Sequence, residues 1–226
     1  MKILGIGTST NTGLDHKSFG SSTAVLGRAL QILSAKGHSV RFVDAAKLHI
    51  VRNLSCYASG GKNCADPAAG KYRCWAQYNA SKSPQEYGGL DQMPVIYDNL
   101  DWADAVIFAT SVRWGSHTAV LQDVIERMNT LENRNTVYGE PNPLWGKRCG
   151  VIVTGQHWLS QRVSEQLLDV FGQMGFEAGR CTMFTWQRSN DMRLEQVGPN
   201  RPHVEAYMNS DLGSLQMATF IEELMK

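Results

Sequence analysis

Apolar and polar positions along this chain follow two alternating rhythms, and the switching between them sets the expected architecture. Short, nearly continuous apolar runs read as strands covered on both faces. They are "KILGIG" at 2–7, "SVRFVD" at 39–44, the run at 104–110 around Val106, Ile107, Phe108 and Ala109, "CGVIVTG" at 149–155, and "CTMFTW" at 181–186. Between them apolar residues recur three and four apart, the spacing of one helix face. Leu26, Leu30 and Leu33 make one such face, with Gly37 beyond its end, and Leu121, Val124, Ile125 and Met128 make another. Val163, Leu167, Val170 and Met174 make a third, followed by Gly175. Met217, Phe220, Ile221 and Leu224 predict a last helix over 211–225. Ser116 stands where it can cap the helix that follows the third strand. Alternating strands and helices imply a parallel sheet with right-handed crossovers. Five strands starting at residue 2 predict an α/β fold, sheet order 2-1-3-4-5, with helices on both faces.

One stretch breaks the rhythm. Strand two should reach strand three through one short helix, yet residues 44 to about 100 intervene. This stretch carries Cys56, Cys64 and Cys74 and the aromatics Tyr57, Tyr72, Trp75, Tyr78 and Tyr87. So long a connection is read as an insertion on the ligand-binding edge, within a single domain spanning 1–226. No dinucleotide fingerprint is present, because "GIGTSTNTG" lacks the third glycine in its place.

Composition narrows the classes. Hydrophobic residues make up 42% of 226, enough for a substantial core. The formal net charge is +1, from 22 basic and 21 acidic residues, which argues against a nucleic-acid partner or a polybasic membrane contact. No apolar run approaches the roughly 18 residues of a spanning helix. The N-terminus turns glycine-rich too soon for a signal peptide, so a cytoplasmic protein is expected. In that compartment five cysteines are expected as thiols, metal ligands or redox groups before disulfides.

Three loops leave the carboxyl ends of strands one, three and four, and a doubly wound sheet gathers them at one edge. The first, from Thr8 through Ser9 and Thr10 to Ser21, Ser22 and Thr23, is rich in hydroxyls and ends at a helix start. Free N–H groups, the helix dipole and hydroxyl donors there suit a phosphate monoester. The same residues also suit simple N-capping. The second is Ser111, Val112, Arg113, Trp114 and Gly115: the glycine permits close backbone approach and the indole offers a flat apolar face. The third is Thr154, Gly155, Gln156, His157 and Trp158. Two aromatic loops beside a phosphate site describe a pocket for a flat heterocycle with a phosphate tail.

At these residues the chain resembles the NAD(P)H-dependent FMN reductases and iron–sulfur flavoproteins of the flavodoxin superfamily. The resemblance runs through "KILGIGTST…SST", "ADAVIFATSVRWGS…LQDVIERM" and "VIVTGQHW", and leaves out the insertion and the tail after about residue 187. Ala103, Asp104, Thr110, Val112, Trp114, Gly115, Ser116 and Arg127 match the middle motif. Ser111 replaces its proline, Arg113 its tyrosine and Glu126 its aspartate. The resemblance implies a flavodoxin-like fold, FMN as cofactor and NAD(P)H as co-substrate. It also implies a small-molecule electron acceptor such as a quinone or free flavin, and a homodimer or homotetramer. By position Ser9 opens the phosphate loop, and Ser22 and Thr23 open its helix. The flavin carries the chemistry, so no catalytic side chain is assigned. A flavodoxin-type or iron–sulfur electron carrier is the alternative, and a scaffold without cofactor a third reading. Iron–sulfur members hold their cluster through a compact four-cysteine motif in this region. Here three cysteines stand x7 and x9 apart, and a zinc site completed by His49 lacks the usual close pairs, so free thiols are favoured and no metal ligand is assigned. Arg28, Arg52 and Arg113 are candidates for meeting a 2′-phosphate.

Overall fold

The computed structural model describes residues 1–9, 20–56, 63–155, 159–189 and 200–226. Five strands form one all-parallel sheet: β1 (Lys2–Gly7), β2 (Ser39–Asp44), β3 (Ala105–Ser111), β4 (Arg148–Gly155) and β5 (Glu177–Gln187). Their order is β2-β1-β3-β4-β5, the expected 2-1-3-4-5 arrangement of the flavodoxin-like fold. Every residue of β3 is buried, as its unbroken apolar run requires for a central strand.

Alternation along the strands divides the core in two. One layer joins Leu4, Ile6, Val106, Phe108, Val151 and Val153 to α3 (Met93–Trp102), α4 (Ala119–Tyr138) and α5 (Ser160–Gln173). The other joins Ile3, Ile107, Ile152 and Phe184 to α1 (Ser21–Ala35), α6 (Arg201–Met208) and α7 (Asp211–Met225). Helices therefore cover both faces. A Cβ on Gly150 would lie 2.9 Å from a ring carbon of Phe220, so the glycine lets α7 rest directly on β4.

Three local expectations need correction. The cap of α4 is Thr118, whose hydroxyl accepts from the Leu121 amide at 3.3 Å, and not Ser116. Ser116 instead closes the preceding turn. Strand β5 begins at Glu177, four residues before the expected start, and its pairing with β4 shifts register between Cys149 and Val151. Such a bulge breaks the two-residue alternation that marks a strand in sequence. The long connection after β2 is not structureless. It contains the short helix α2 (Trp75–Lys82), several 3-10 turns and α3, which is the crossover helix itself. Met93, Ile96, Tyr97 and Leu100 of α3 are all buried against the sheet.

The rest of the connection builds a satellite core from Val51, Cys74, Ala76 and Ala80. Its main tie to the fold is a buried ion pair. Arg127 on α4 donates to both carboxylate oxygens of Asp91, at 3.2 and 2.6 Å, and to the Val51 carbonyl. Both side chains are 1% exposed. Tyr97 completes the knot by donating its hydroxyl to the Arg127 carbonyl at 2.8 Å.

Candidate functional site

The carboxyl ends of β1, β3 and β4 meet through hydroxyl contacts between their loops. Ser21 on the first turn of α1 lies 2.9 Å from the Thr154 hydroxyl of β4, and Ser22 lies 3.4 Å from the Ser111 hydroxyl of β3. Beneath them Thr8 donates to the Ala109 carbonyl at 2.9 Å, while Thr118 donates to Thr8 at 3.1 Å. Thr110 and Thr118 are 3.2 Å apart. This floor of three threonines is fully or almost fully buried. It locks the start of α4 to the ends of β1 and β3. Thr8 is expected from the sequence only as the start of the first loop, and Thr118 is not among the expected site residues. The signal available for Thr118 was its place three residues before the first buried helical position, Leu121.

The first loop leads into an open helix start. Helix α1 starts after Gly20, which offers no side-chain cap, and its first turn contains no acidic residue. Among the described residues its leading N–H groups therefore have no capping side chain, in the place where the helix dipole favours negative charge. Ser9 sharpens the point: it is 5% exposed, and its hydroxyl oxygen is buried with no hydrogen-bond partner among the described residues. A buried orphan hydroxyl costs about 1–3 kcal/mol unless something bonds it. An anion at the helix start is chemically matched to satisfy it. Thr23 is also buried at this end of α1, beside Gly7, where an added Cβ would lie 3.4 Å from its hydroxyl.

The second loop is a rigid turn. Arg113 donates its amide to the Ser116 carbonyl at 2.7 Å, and the Ser116 amide returns the bond at 3.0 Å. Between them Trp114 and Gly115 have φ of +48° and +81°. Two consecutive positive φ values are the signature of a type I′ turn, which normally selects Asn-Gly. Trp114 thus holds a left-handed backbone while its side chain is 99% exposed. The Val112 amide donates to the Thr154 carbonyl at 2.9 Å, fixing this loop to the third. Gly115 closes the seam, because a Cβ there would sit 3.1 Å from Leu159 at the end of loop three. Arg113 is exposed, and its guanidinium donates to the neighbouring Val112 carbonyl at 3.3 Å.

The structure therefore brings together Ser9, Ser21, Ser22, Thr23, Ser111, Val112, Trp114, Gly115, Thr154 and Gly155 at one sheet edge. Thr10, Gln156, His157 and Trp158 lie outside the described residues. Of the three arginines considered for a 2′-phosphate, only Arg113 sits on a site loop.

The cysteines lie elsewhere, in the insertion. Among the described residues none of Cys56, Cys64 and Cys74 forms a disulfide. Burial, followed by the neighbouring Cys74 and Cys56, pushes the Cys64 thiol up to about 12. Among the described residues no group of three His, Cys, Asp or Glu side chains is arranged to hold a metal. His49 faces the Tyr87 carbonyl at 2.9 Å.

A doubly wound parallel sheet, an open helix N-terminus and a tight glycine-bearing turn at one edge define a flavodoxin-like phosphate-cofactor protein. The chain belongs to the NADPH-dependent FMN reductase family, which matches residues 1–186. It is thereby an oxidoreductase that uses FMN and a nicotinamide nucleotide. The solved structures share its fold at low identity. RosB, determined with bound 8-demethyl-8-formylriboflavin 5′-phosphate, aligns with a TM-score of 0.68 at 16% identity, over 100% of this chain and 79% of its own. An FMN-dependent NADH-azoreductase from Bacillus anthracis in complex with FMN aligns at 0.52 and 12%, over 100% and 98%. FerB, an NAD(P)H:(acceptor) oxidoreductase from Paracoccus denitrificans, aligns at 0.52 and 14%, over 99% and 94%. No curated protein matches the sequence significantly.

Proposed function

We propose that this chain is an FMN-dependent reductase that takes electrons from NAD(P)H and delivers them to a small diffusible acceptor, a quinone or free flavin. Two observations carry the reading: the buried Ser9 hydroxyl, unpartnered among the described residues, and the first turn of α1, which Gly20 leaves without a side-chain cap. Ser9, Ser21, Ser22 and Thr23 would hold the FMN phosphate, and the 111–116 turn and the Thr154–Gly155 end of β4 would flank the isoalloxazine. Bound FMN supplies hydride acceptance from the nicotinamide and electron donation to the acceptor. The protein orients and excludes water. Its turn offers backbone N–H and C=O groups held in place by the Arg113–Ser116 and Val112–Thr154 bonds. The buried threonine floor keeps the three loops in register.

The chain is further read as a single domain, 1–226, working in the cytoplasm as a homodimer or homotetramer. The buried Arg127–Asp91 pair, which ties the insertion to α4, supports the single-domain reading. The fully exposed Trp114 on the rim of the site supports self-association.

Titration with FMN, followed at about 450 nm, tests the site, and NADPH oxidation with a quinone, FMN or an azo dye as acceptor tests the activity. Saturable FMN binding is expected, with Ser9→Ala weakening it about tenfold, the worth of one hydrogen bond to a charged group. Failure of the folded chain to bind FMN would overturn the assignment. Binding without turnover on any acceptor would remove the small-acceptor reading and leave the flavin site.

A further inference from the structure

A second cavity lies on the β2 side of α1, away from the β3 and β4 loops that meet Ser21 and Ser22. It is a groove of about 720 Å³ between α1, the edge strand β2 and α6. That volume is in the range of small-molecule sites, about 300–1,000 Å³. Its walls include Leu30, Val40, Phe42 and Met208. Phe42 is 43% exposed, an aromatic ring left in the open on an edge strand.

Gly27 gives an independent sign that the space is kept clear. It sits in the middle of α1, where glycine weakens a helix relative to alanine. Among the described residues no packing constraint calls for it, because an added Cβ would meet nothing within 4 Å. Any side chain there would project into the groove.

The charges around the groove are one-sided. Arg28, Arg41 and Arg201 line it against one carboxylate, Glu205. Arg201 is paired with Glu205 at 2.7 Å, and Arg41 lies 4.1 Å over the Trp102 ring while donating to Asn99. Arg28 has no hydrogen bond or ion pair among the described residues. Arg28 and Met208 also wall an adjoining cleft of about 170 Å³ that adds Lys36 and no carboxylate. An apolar trough with an uncommitted guanidinium at its rim is complementary to a ligand with an apolar body and an acidic head.

We propose that this groove binds an amphipathic organic anion. Its body lies on Phe42, Val40, Leu30 and Met208, and its carboxylate, sulfonate or phosphate pairs with Arg28. The site is separate from the flavin edge, although Thr23 at the start of α1 borders both.

Calorimetric titration of the FMN-loaded protein with 8-anilinonaphthalene-1-sulfonate tests this. One saturable site is expected. Arg28→Glu should weaken it at least tenfold, while Gly27→Leu should abolish it and raise the melting temperature, since the helix gains propensity without a clash. Both variants should keep the visible absorbance of bound flavin, which separates this test from the flavin assignment. The proposal is overturned if the parent shows no saturable binding or if both variants bind the dye as the parent does. Displacement of the dye by NADPH would also overturn it, assigning the groove to the nucleotide. So would a fall in sedimenting mass in Gly27→Leu, which would show that a second copy covers the groove.

Discussion

Trp114 concentrates the tension of the site in a single residue. Its left-handed backbone costs about 1–2 kcal/mol in an ordinary L-residue, and its indole gains nothing from burial in the isolated chain. Asparagine accepts this backbone far more readily. Trp114→Asn should therefore raise stability by about 1 kcal/mol, read as a higher urea midpoint at unchanged slope. If the indole serves acceptor or subunit, the same variant loses NADPH-dependent turnover or changes in sedimenting mass. A lower midpoint would show instead that Trp114 is stabilising where it stands. The sequence announced this turn through Arg113, Trp114 and Gly115, and announced the hydroxyl-rich helix start as well. It did not announce the contacts that join the loops. Ser22 to Ser111 and Ser21 to Thr154 span 89 and 133 residues, and nothing local encodes such pairs. The Ser116 cap was misread for a related reason. Serine and threonine both favour N-caps, and only the Arg113–Ser116 turn decides that Thr118 is left to do it.

At the level of elements, the strands and helices that follow strict periodicity were legible, and those bent by tertiary contacts were not. β1, β2 and α7 fall where the apolar spacing puts them, at Lys2–Gly7, Ser39–Asp44 and Asp211–Met225. The early part of β5 hides behind its register shift, and α3 was hidden inside a stretch whose aromatics and cysteines obscured a ten-residue helix. The insertion around it is tied to α4 by the buried Arg127–Asp91 pair and by the Thr130 hydroxyl, which donates to the Tyr72 and Arg73 carbonyls. Arg127 is driven to remain charged: burial opposes the charge, but the hydrogen bonds to the Asp91 carboxylate outweigh it and raise its pKa. Removing one partner leaves the other ionised in an apolar interior. Arg127→Met is thus expected to cost about 3–5 kcal/mol in urea unfolding, and Arg127→Met with Asp91→Leu clearly less, because no charge is stranded. A double variant as unstable as the single one would mean that the bond to Val51, and not the ion pair, is what holds the insertion. Native-state hydrogen exchange gives a second view of the same element. The satellite core of Val51, Cys74, Ala76 and Ala80 is small, so α2 should exchange well before β3 and β4.

For the molecule as a whole, near-neutral composition hides a pronounced asymmetry in how it should respond to pH. Three weak acids are held neutral by burial. Cys64 lies in the insertion, with its thiol pushed up to about 12; Tyr97 lies on α3 and Cys149 on β4, each raised by desolvation first. In each case the folded chain keeps a proton that the unfolded chain gives up earlier. For Cys64 the unfolded value is near 9.0, so between about pH 9 and pH 12 the unfolded state binds fewer protons than the folded one. By linkage the stability is then fully present below about pH 9 and falls as pH rises through that window. Urea midpoints measured under reducing conditions should be level from pH 7.5 to 9 and then decline. Cys64→Ala should make the decline shallower without removing it, because Tyr97 and Cys149 still have to ionise on unfolding. A decline of the same steepness in Cys64→Ala would mean that the thiol is not protected in the folded chain and that the insertion is open to solvent at alkaline pH. A shallower decline would show that the folded chain keeps the Cys64 thiol protonated and that unfolding releases the proton.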